Sequence, residues 1–117
     1  MSKSILIVDD SSMMRKMLKA SLVSKGHIIT GEAKNGFEAI EMYQRLKPDL
    51  VTMDITMRGM DGFTAAKRIL VLDRNANIIF LSNLDKEKYQ RETETIGVWG
   101  FINKHKVDEI LRLIDKI

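Results

Sequence analysis

The sequence lacks several features that would define whole classes of protein. It has no cysteine, one proline and only 6% aromatic residues. Without cysteine the chain can form neither a disulfide nor a thiolate metal site, so a reducing compartment is compatible with it. No apolar run approaches the roughly 18 residues of a membrane span, and the amino-terminal run is too short for a signal peptide. We therefore predict neither membrane insertion nor a targeting segment.

The charges also exclude one class of partner. The net charge is +3, but lysine and arginine are interleaved with acidic residues, as in Asp85–Lys88. Mixed charges of this kind are typical of a solvated helix surface and not of a phosphate-binding stripe. We expect no direct binding of nucleic acid.

Short apolar runs alternate with helical patterns along the chain. The runs are rich in β-branched residues and two to six residues long, which predicts strands. The predicted strands are Ile5–Val8, Ile28–Ala33, Leu50–Met53, Ile78–Leu81 and Phe101–Ile102.

Apolar residues at helical spacing fill the segments between the strands. Gly26 is expected to end the first helix, Pro48 lies just past the second, and residues 86–96 form only a weak fourth candidate. The clear stripes are Met14, Leu18 and Leu22; Phe37, Ile40, Tyr43 and Leu46; Ala66, Ile69 and Leu72; and Val107, Ile110, Leu111, Ile114 and Ile117. Repeated βα units predict an α/β fold with a parallel sheet and helices on both faces.

Polar residues collect where the predicted strands end. Asp9 and Asp10 follow the first strand, Asp54 ends the third, Ser82 ends the fourth and Lys104 follows the fifth. Ligands of open α/β sheets bind at this edge. Two carboxylates 4 Å apart repel by about 4 kcal/mol at an effective dielectric of 20, so a cation must lie among them or one must be protonated. A hard divalent ion, Mg²⁺, suits oxygen ligands with no histidine or cysteine beside them.

Each residue also has an ordinary structural interpretation. Asp10 or Ser11 can be a helix cap, Ser82 a loop hydroxyl and Lys104 a solvated side chain. The coincidence of three acids, a hydroxyl and an ammonium at one sheet edge favours chemistry. A carboxylate can attack phosphorus to give an aspartyl phosphate, and phosphoryl transfer needs little beyond positioning and charge neutralisation.

Four segments carry a family resemblance: LIVDDSS, KPDLVTMDITMRGMDG, FLSN and GFINK. Together they resemble the receiver domain of two-component response regulators, and most of all the single-domain chemotaxis-type regulators. The resemblance covers the whole chain and implies one receiver domain over residues 1–117. It also implies a flavodoxin-like, doubly wound, five-stranded parallel sheet of order 2-1-3-4-5.

The resemblance assigns roles at the sheet edge. Asp54 would be the phosphorylated nucleophile. Asp10 would bind Mg²⁺ directly and Asp9 largely through water, with Asp54 and the main-chain carbonyl of Thr56 as further ligands. Lys104 would pair with the phosphoryl group.

The resemblance also implies a switch and its partners. Ser82 would move to hydrogen-bond the phosphoryl group, and the rotamer of Phe101 would report that movement. A histidine kinase would donate the phosphoryl group, and the surface of the fourth helix, fifth strand and fifth helix would bind a downstream protein, such as the flagellar motor switch. The protein would be cytoplasmic and not an enzyme beyond its own phosphorylation and dephosphorylation.

Three other interpretations stay open. The chain can be a receiver cut from a longer regulator with a DNA-binding or enzymatic output domain. It can be a phosphatase with an aspartate nucleophile, although such enzymes generally have a second acid where Thr56 lies. It can be a pseudo-receiver that only binds a partner, although neither an acid nor the lysine is missing.

Two prolines usual in the family are absent, after Met57 and after Lys104, where the chain has Arg58 and His105. A cis bond before a non-proline residue costs about 2.5–4 kcal/mol, so we expect Lys104–His105 to be trans. We further expect the altered loop to displace the Lys104 ammonium and to weaken coupling to the output surface. An ion pair between Lys104 and Asp54 would contradict this expectation.

Overall fold

A parallel sheet forms the centre of the molecule. The computed structural model describes residues 2–83, 91 and 93–117. Within these residues the strands pair in the order β2-β1-β3-β4-β5, and every pairing is parallel. The strands are β1 (Ser4–Val8), β2 (Ile28–Ala33), β3 (Leu50–Asp54), β4 (Ile78–Ser82) and β5 (Gly100–Asn103). The predicted fold class and strand order are confirmed.

Helices connect the strands and cover both faces of the sheet. The described helices are α1 (Ser12–Ser24), α2 (Gly36–Leu46), α3 (Gly62–Leu72) and the C-terminal helix (Val107–Asp115). Most of the weak helix predicted over residues 86–96 lies outside the described residues, and residues 93–96 are helical.

The core is divided by the sheet into two apolar clusters. Val51 and Met53 of β3 pack with residues of α2 and α3, whereas Leu50 packs with residues of α1 and the C-terminal helix. Because successive side chains of a strand point to opposite faces, Thr52 and Asp54 share the face of Leu50. All five residues of β3 are buried, as expected for a central strand covered on both faces.

Short polar side chains set where the helices begin. The side chains of Ser11, Asn35 and Asp61 accept hydrogen bonds from the main-chain N–H groups of the first turns of α1, α2 and α3. These caps satisfy N–H groups that have no partner within the helix. Ser11, and not Asp10, therefore caps α1. Gly26 follows that helix with a φ of +88°, which confirms the predicted stop.

Two residues of the predicted apolar stripes are instead at the surface. Phe37 is 62% exposed and Leu72 is 52% exposed, while α2 buries Ala39 and Tyr43. The reason is geometric. Residues repeated at three-residue steps drift around a helix of 3.6 residues per turn, so one stripe cannot keep all of them on the same face.

Gly62 brings α3 into direct contact with the end of β3. Its N–H donates to the Ile55 carbonyl oxygen at 2.7 Å. A Cβ atom at this position would overlap the Asp54 carbonyl oxygen and lie 2.8 Å from the Ile55 Cα. Only glycine allows this approach, and the approach fixes the loop that follows Asp54.

We expect Gly62→Ala to lower the free energy of unfolding by about 3 kcal/mol, because backbone atoms must move to relieve the overlap. The control is Gly26→Ala, where a Cβ meets open space. That control should lose only about 1–2 kcal/mol, from its left-handed backbone. Urea unfolding measures both variants, and equal losses would contradict the close approach.

Candidate functional site

Strand register brings the predicted site residues to one edge of the sheet. Val8 of β1 pairs with Met53 of β3. The residues that follow them, Asp9 and Asp54, therefore lie at the same level of the sheet. Asp54 is also level with Leu81 of β4, one residue before Ser82. The predicted convergence at the carboxyl ends of the strands is therefore observed.

Three carboxylates form one cluster at this edge. Asp9, Asp10 and Asp54 each place a carboxylate oxygen within 4.8 Å of the other two. Asp9 and Asp54 are buried, whereas Asp10 is exposed. The donors are hard oxygen atoms of high negative charge and one of them opens to solvent, which fits a partly hydrated Mg²⁺ ion.

The Lys104 ammonium lies between two of these acids. Its Nζ atom is 2.8 Å from Asp9 Oδ2 and 3.3 Å from Asp54 Oδ2. Lys104 is 8% exposed, so water screens these contacts little. The expectation that the missing proline displaces this ammonium is wrong.

Hydrogen bonds of Asn103 hold the loop after β5 in place, although the proline usual after Lys104 is absent. Its side-chain Oδ1 accepts from the His105 N–H at 2.8 Å, and its carbonyl oxygen accepts from the Lys106 N–H at 3.0 Å. The Lys104 N–H donates to the Ser82 carbonyl oxygen at 3.1 Å. An asparagine turn of this kind fixes the backbone as a proline would. Among the described residues there is no cis peptide bond, which confirms the trans bond predicted after Lys104.

One ammonium does not neutralise two buried carboxylates. The pKa of Asp54 is raised to about 6, first by burial and then by the Asp9 charge, and Lys104 offsets only part of the rise. Burial disfavours the charge of Lys104, but its hydrogen bond to Asp9 and the charges of both acids outweigh this and raise its pKa. The site therefore carries excess negative charge at neutral pH and favours a further cation.

Arg15, which the sequence analysis did not identify, holds Asp9 in place. The Arg15 Nη1 atom donates to the Asp9 carbonyl oxygen at 2.8 Å, and its Nε atom lies 3.3 Å from Glu32 Oε1. The Ser11 N–H donates to Asp9 Oδ1 at 2.9 Å. Long side chains in a helix point back toward its amino terminus, so an arginine in the first turns of α1 was the signal available in the sequence.

The other predicted residues lie around this cluster. Ser82 is buried at the end of β4, and Phe101 is buried in β5 within the apolar cluster beneath α2 and α3. Thr56 lies in the loop after β3 with its side chain exposed. Their roles stay predictions.

Comparison with known proteins finds matches along almost the whole chain. The sequence model described as "Response regulator receiver domain" matches residues 5–115. Over 120 residues the chain is 44% identical to chemotaxis protein CheY of Thermotoga maritima, covering 99% of this chain and 100% of that protein. Chemotaxis protein CheY of Bacillus subtilis is 44% identical over 117 residues, covering 99% and 98%.

A solved structure shows the same architecture. CheY in the CheX–CheY–BeF₃–Mg²⁺ complex of Borrelia burgdorferi is similar to this chain with a TM-score of 0.91 and 35% identity. The similarity covers 97% of this chain and 87% of that chain. A search of the described residues finds no helix with the length and apolar character of a membrane span.

The raised pKa of Asp54 predicts a stability that depends on pH. The ordinary pKa of an aspartate is about 3.9, so between pH 4 and 6 the folded protein binds more protons than the unfolded chain. The contribution of Asp54 to stability therefore falls as pH rises through this window, by about 3 kcal/mol in total. Asp54→Asn, which cannot ionise, should be more stable than wild type at pH 7.5 in EDTA and should lose that advantage toward pH 4.

Urea unfolding across this pH range, with the exposed Asp108→Asn as control, measures the effect. A difference between Asp54→Asn and wild type that does not change with pH would contradict the assignment.

Proposed function

The chain belongs to the response regulator receiver domain family, and from this premise we propose that it is a phosphorylation-dependent switch of a two-component system acting in chemotaxis. The observation that carries the proposal is the buried Asp54 carboxylate, held beside two further acids and one lysine at the ligand-binding edge of the sheet. We take the receiver domain to span residues 1–117.

Asp54 is the proposed nucleophile. One of its carboxylate oxygens forms a bond to phosphorus while the bond between phosphorus and the donor breaks, and the donor keeps that electron pair. The donor is the phosphohistidine of a histidine kinase, whose imidazole is the leaving group. Little further covalent chemistry is required of the protein, because such transfers depend on alignment and charge neutralisation.

Mg²⁺ would be held by Asp10, by Asp9 largely through water, by Asp54 and by the Thr56 carbonyl oxygen. When bound, it supplies positive charge to the phosphoryl oxygens. The cluster of three carboxylates within 4.8 Å of one another supports this set. With Mg²⁺ and Lys104 present, the charges of the three carboxylates are neutralised. Phosphorylation of Asp54 by a dianionic phosphoryl group then leaves a single net negative charge.

We propose that the Lys104 ammonium changes its ion-pair partner when Asp54 is phosphorylated. Its ammonium lies within 3.3 Å of Asp54 and is nearly buried, so it can pair with a phosphoryl oxygen after a small movement. Ser82, at the end of β4, is the proposed switch hydroxyl that turns toward the same group. Phe101, in the neighbouring strand, changes rotamer with it and alters the surface that includes β5 and the C-terminal helix.

A downstream protein is proposed to bind the surface that includes β5 and the C-terminal helix. The similar CheY of Borrelia burgdorferi was solved in complex with CheX, BeF₃ and Mg²⁺. We propose for this chain a histidine kinase as donor and a chemotaxis protein, such as the flagellar motor switch, as receiver of the signal. We propose that it acts in the cytoplasm.

Other functions receive less support. An output domain in a longer regulator is not favoured, since the two chemotaxis relatives are matched along 100% and 98% of their length. A phosphatase would need a second acid where Thr56 lies. We propose that the chain is a switch whose only chemistry is its own phosphorylation and dephosphorylation.

Phosphoryl uptake tests the nucleophile. Incubation of wild type with an acyl phosphate and Mg²⁺ should add one phosphoryl group to the intact mass, and EDTA should prevent the addition. Asp54→Asn should take up none, because an amide is too weak a nucleophile, while Asp108→Asn should behave as wild type. Uptake by Asp54→Asn at the wild-type stoichiometry would refute the assignment.

Ser82→Ala tests the switch separately from the chemistry. This variant should still accept one phosphoryl group, because Ser82 does not form the bond to phosphorus. The amide NMR shifts of β5 and the C-terminal helix on phosphorylation should be reduced severalfold relative to wild type. The control Ser24→Ala, on the exposed end of α1, should respond fully. A full response from Ser82→Ala would remove Ser82 from the switch.

A further inference from the structure

The Arg15 guanidinium joins three elements beside the carboxylate cluster. Its Nη1 atom donates to the Asp9 carbonyl oxygen at 2.8 Å, and its Nε atom donates to Glu32 Oε1 at 3.3 Å. The Arg15 side chain is only 14% exposed, so water competes little for these contacts. Because Arg15 lies near the start of α1, it connects that helix to the end of β1 and to Glu32 in β2.

Asp9 is held at each of its polar groups. Its N–H donates to the Ala33 carbonyl oxygen at 3.0 Å, and its Oδ1 atom accepts from the Ser11 N–H at 2.9 Å. Its Oδ2 atom pairs with the Lys104 ammonium at 2.8 Å. Arg15 supplies the remaining contact, which fixes the Asp9 carbonyl group.

That carbonyl group also sets the direction of Asp10. The peptide unit between Asp9 and Asp10 is planar, so the Asp9 carbonyl and the Asp10 N–H and Cα move together. The Asp10 carboxylate belongs to the cluster of three acids, but Asp10 itself is exposed. A hydrogen bond that holds this peptide unit therefore helps to hold Asp10, the proposed direct ligand of Mg²⁺.

Glu32 reduces the electrostatic cost of an arginine beside a cation site. A guanidinium repels a metal ion, and its charge alone would weaken Mg²⁺ binding. Glu32 pairs with Arg15 and, through its other oxygen, with Lys19 Nζ at 3.6 Å. The level of Glu32 is fixed by the pairing of β2 with Ile7 of β1. The Glu32 carboxylate therefore both orients the guanidinium and offsets part of its charge.

We propose that Arg15, oriented by Glu32, is a positioning residue for Mg²⁺ binding that acts by fixing the peptide unit between Asp9 and Asp10. The inference rests on the proposed function, because it concerns the same metal site. Groups that orient metal ligands typically change metal affinity by about 10- to 100-fold. Positioning and charge predict opposite signs, since the removal of a nearby positive charge alone would tighten Mg²⁺ binding.

Arg15→Met removes both contacts and keeps an unbranched apolar side chain. In an amide NMR titration with Mg²⁺ we expect its dissociation constant to rise about tenfold. In metal-free protein the order parameter of the Asp10 amide should fall from about 0.85 toward 0.6. The control is Lys19→Met, which removes the same charge from Glu32 but no contact with Asp9, and it should bind Mg²⁺ as tightly as wild type or slightly more tightly.

The outcomes of this titration separate the inference from the proposed function. A wild type that binds no Mg²⁺ would overturn both. Wild-type or tighter Mg²⁺ binding by Arg15→Met would overturn the inference alone. Urea unfolding of the same variant measures its stability, and a loss of stability without a loss of affinity would show a merely structural contact and would also overturn the inference.

Arg15→Lys tests the geometry at constant charge. A lysine keeps the positive charge but replaces the planar fork of donors with a single ammonium. Its Mg²⁺ dissociation constant should still rise, by about threefold, because one ammonium cannot reproduce both contacts. An affinity equal to that of wild type would overturn the proposal.

A double-mutant cycle tests the part played by Glu32. The cycle is measured in high salt, which screens the changes of charge. Glu32→Ala should weaken Mg²⁺ binding severalfold, whereas the double variant with Arg15→Met should bind about as weakly as Arg15→Met alone. Additive losses would overturn the claim that Glu32 acts through Arg15.

Discussion

The Lys104 ammonium, shared by two buried carboxylates, is the interaction on which the site depends. It lies 2.8 Å from Asp9 and 3.3 Å from Asp54. In a nearly water-free setting two carboxylates repel strongly, and one ammonium offsets only part of that repulsion. The protein therefore keeps a cluster of acids that is stable enough to fold yet still favours added positive charge. A metal-dependent phosphoryl acceptor needs this incomplete neutralisation.

The fold supplies this arrangement through parts that cannot easily move. The central strands are buried on both faces, so their register fixes the heights of Asp9 and Asp54. Gly62 lets α3 pack onto the backbone that follows Asp54. Asn103 fixes the loop that carries Lys104, and the Lys104 main chain is bonded to β4. Rigid strands hold the acids, and Lys104 and the proposed switch residues Ser82 and Phe101 lie on the elements beside them.

Much of the fold and site could be predicted from residue patterns, and the failures have physical causes. Buried strands are short, apolar and end on polar residues, so Asp54 and its neighbours were evident from the sequence. Phe37 was included in an apolar stripe, but it is exposed because residues at three-residue steps drift around a helix. The sequence shows that the usual proline after Lys104 is absent, so the Lys104 side chain was expected to be displaced. The hydrogen bonds of Asn103 take over the role of that proline, and they depend on loop geometry that the sequence does not show. The contact of Arg15 with the Asp9 carbonyl depends on how α1 packs on the sheet.

The most direct test of incomplete neutralisation is an NMR titration of the Asp54 side-chain carboxyl carbon in metal-free protein. The pKa is expected to be about 6, because burial and the Asp9 charge outweigh Lys104. Adding Mg²⁺ should lower that pKa, since a bound cation favours the carboxylate. A metal-free pKa near the ordinary value of about 3.9, unchanged by Mg²⁺, would contradict the account. It would mean that Lys104 already neutralises the site.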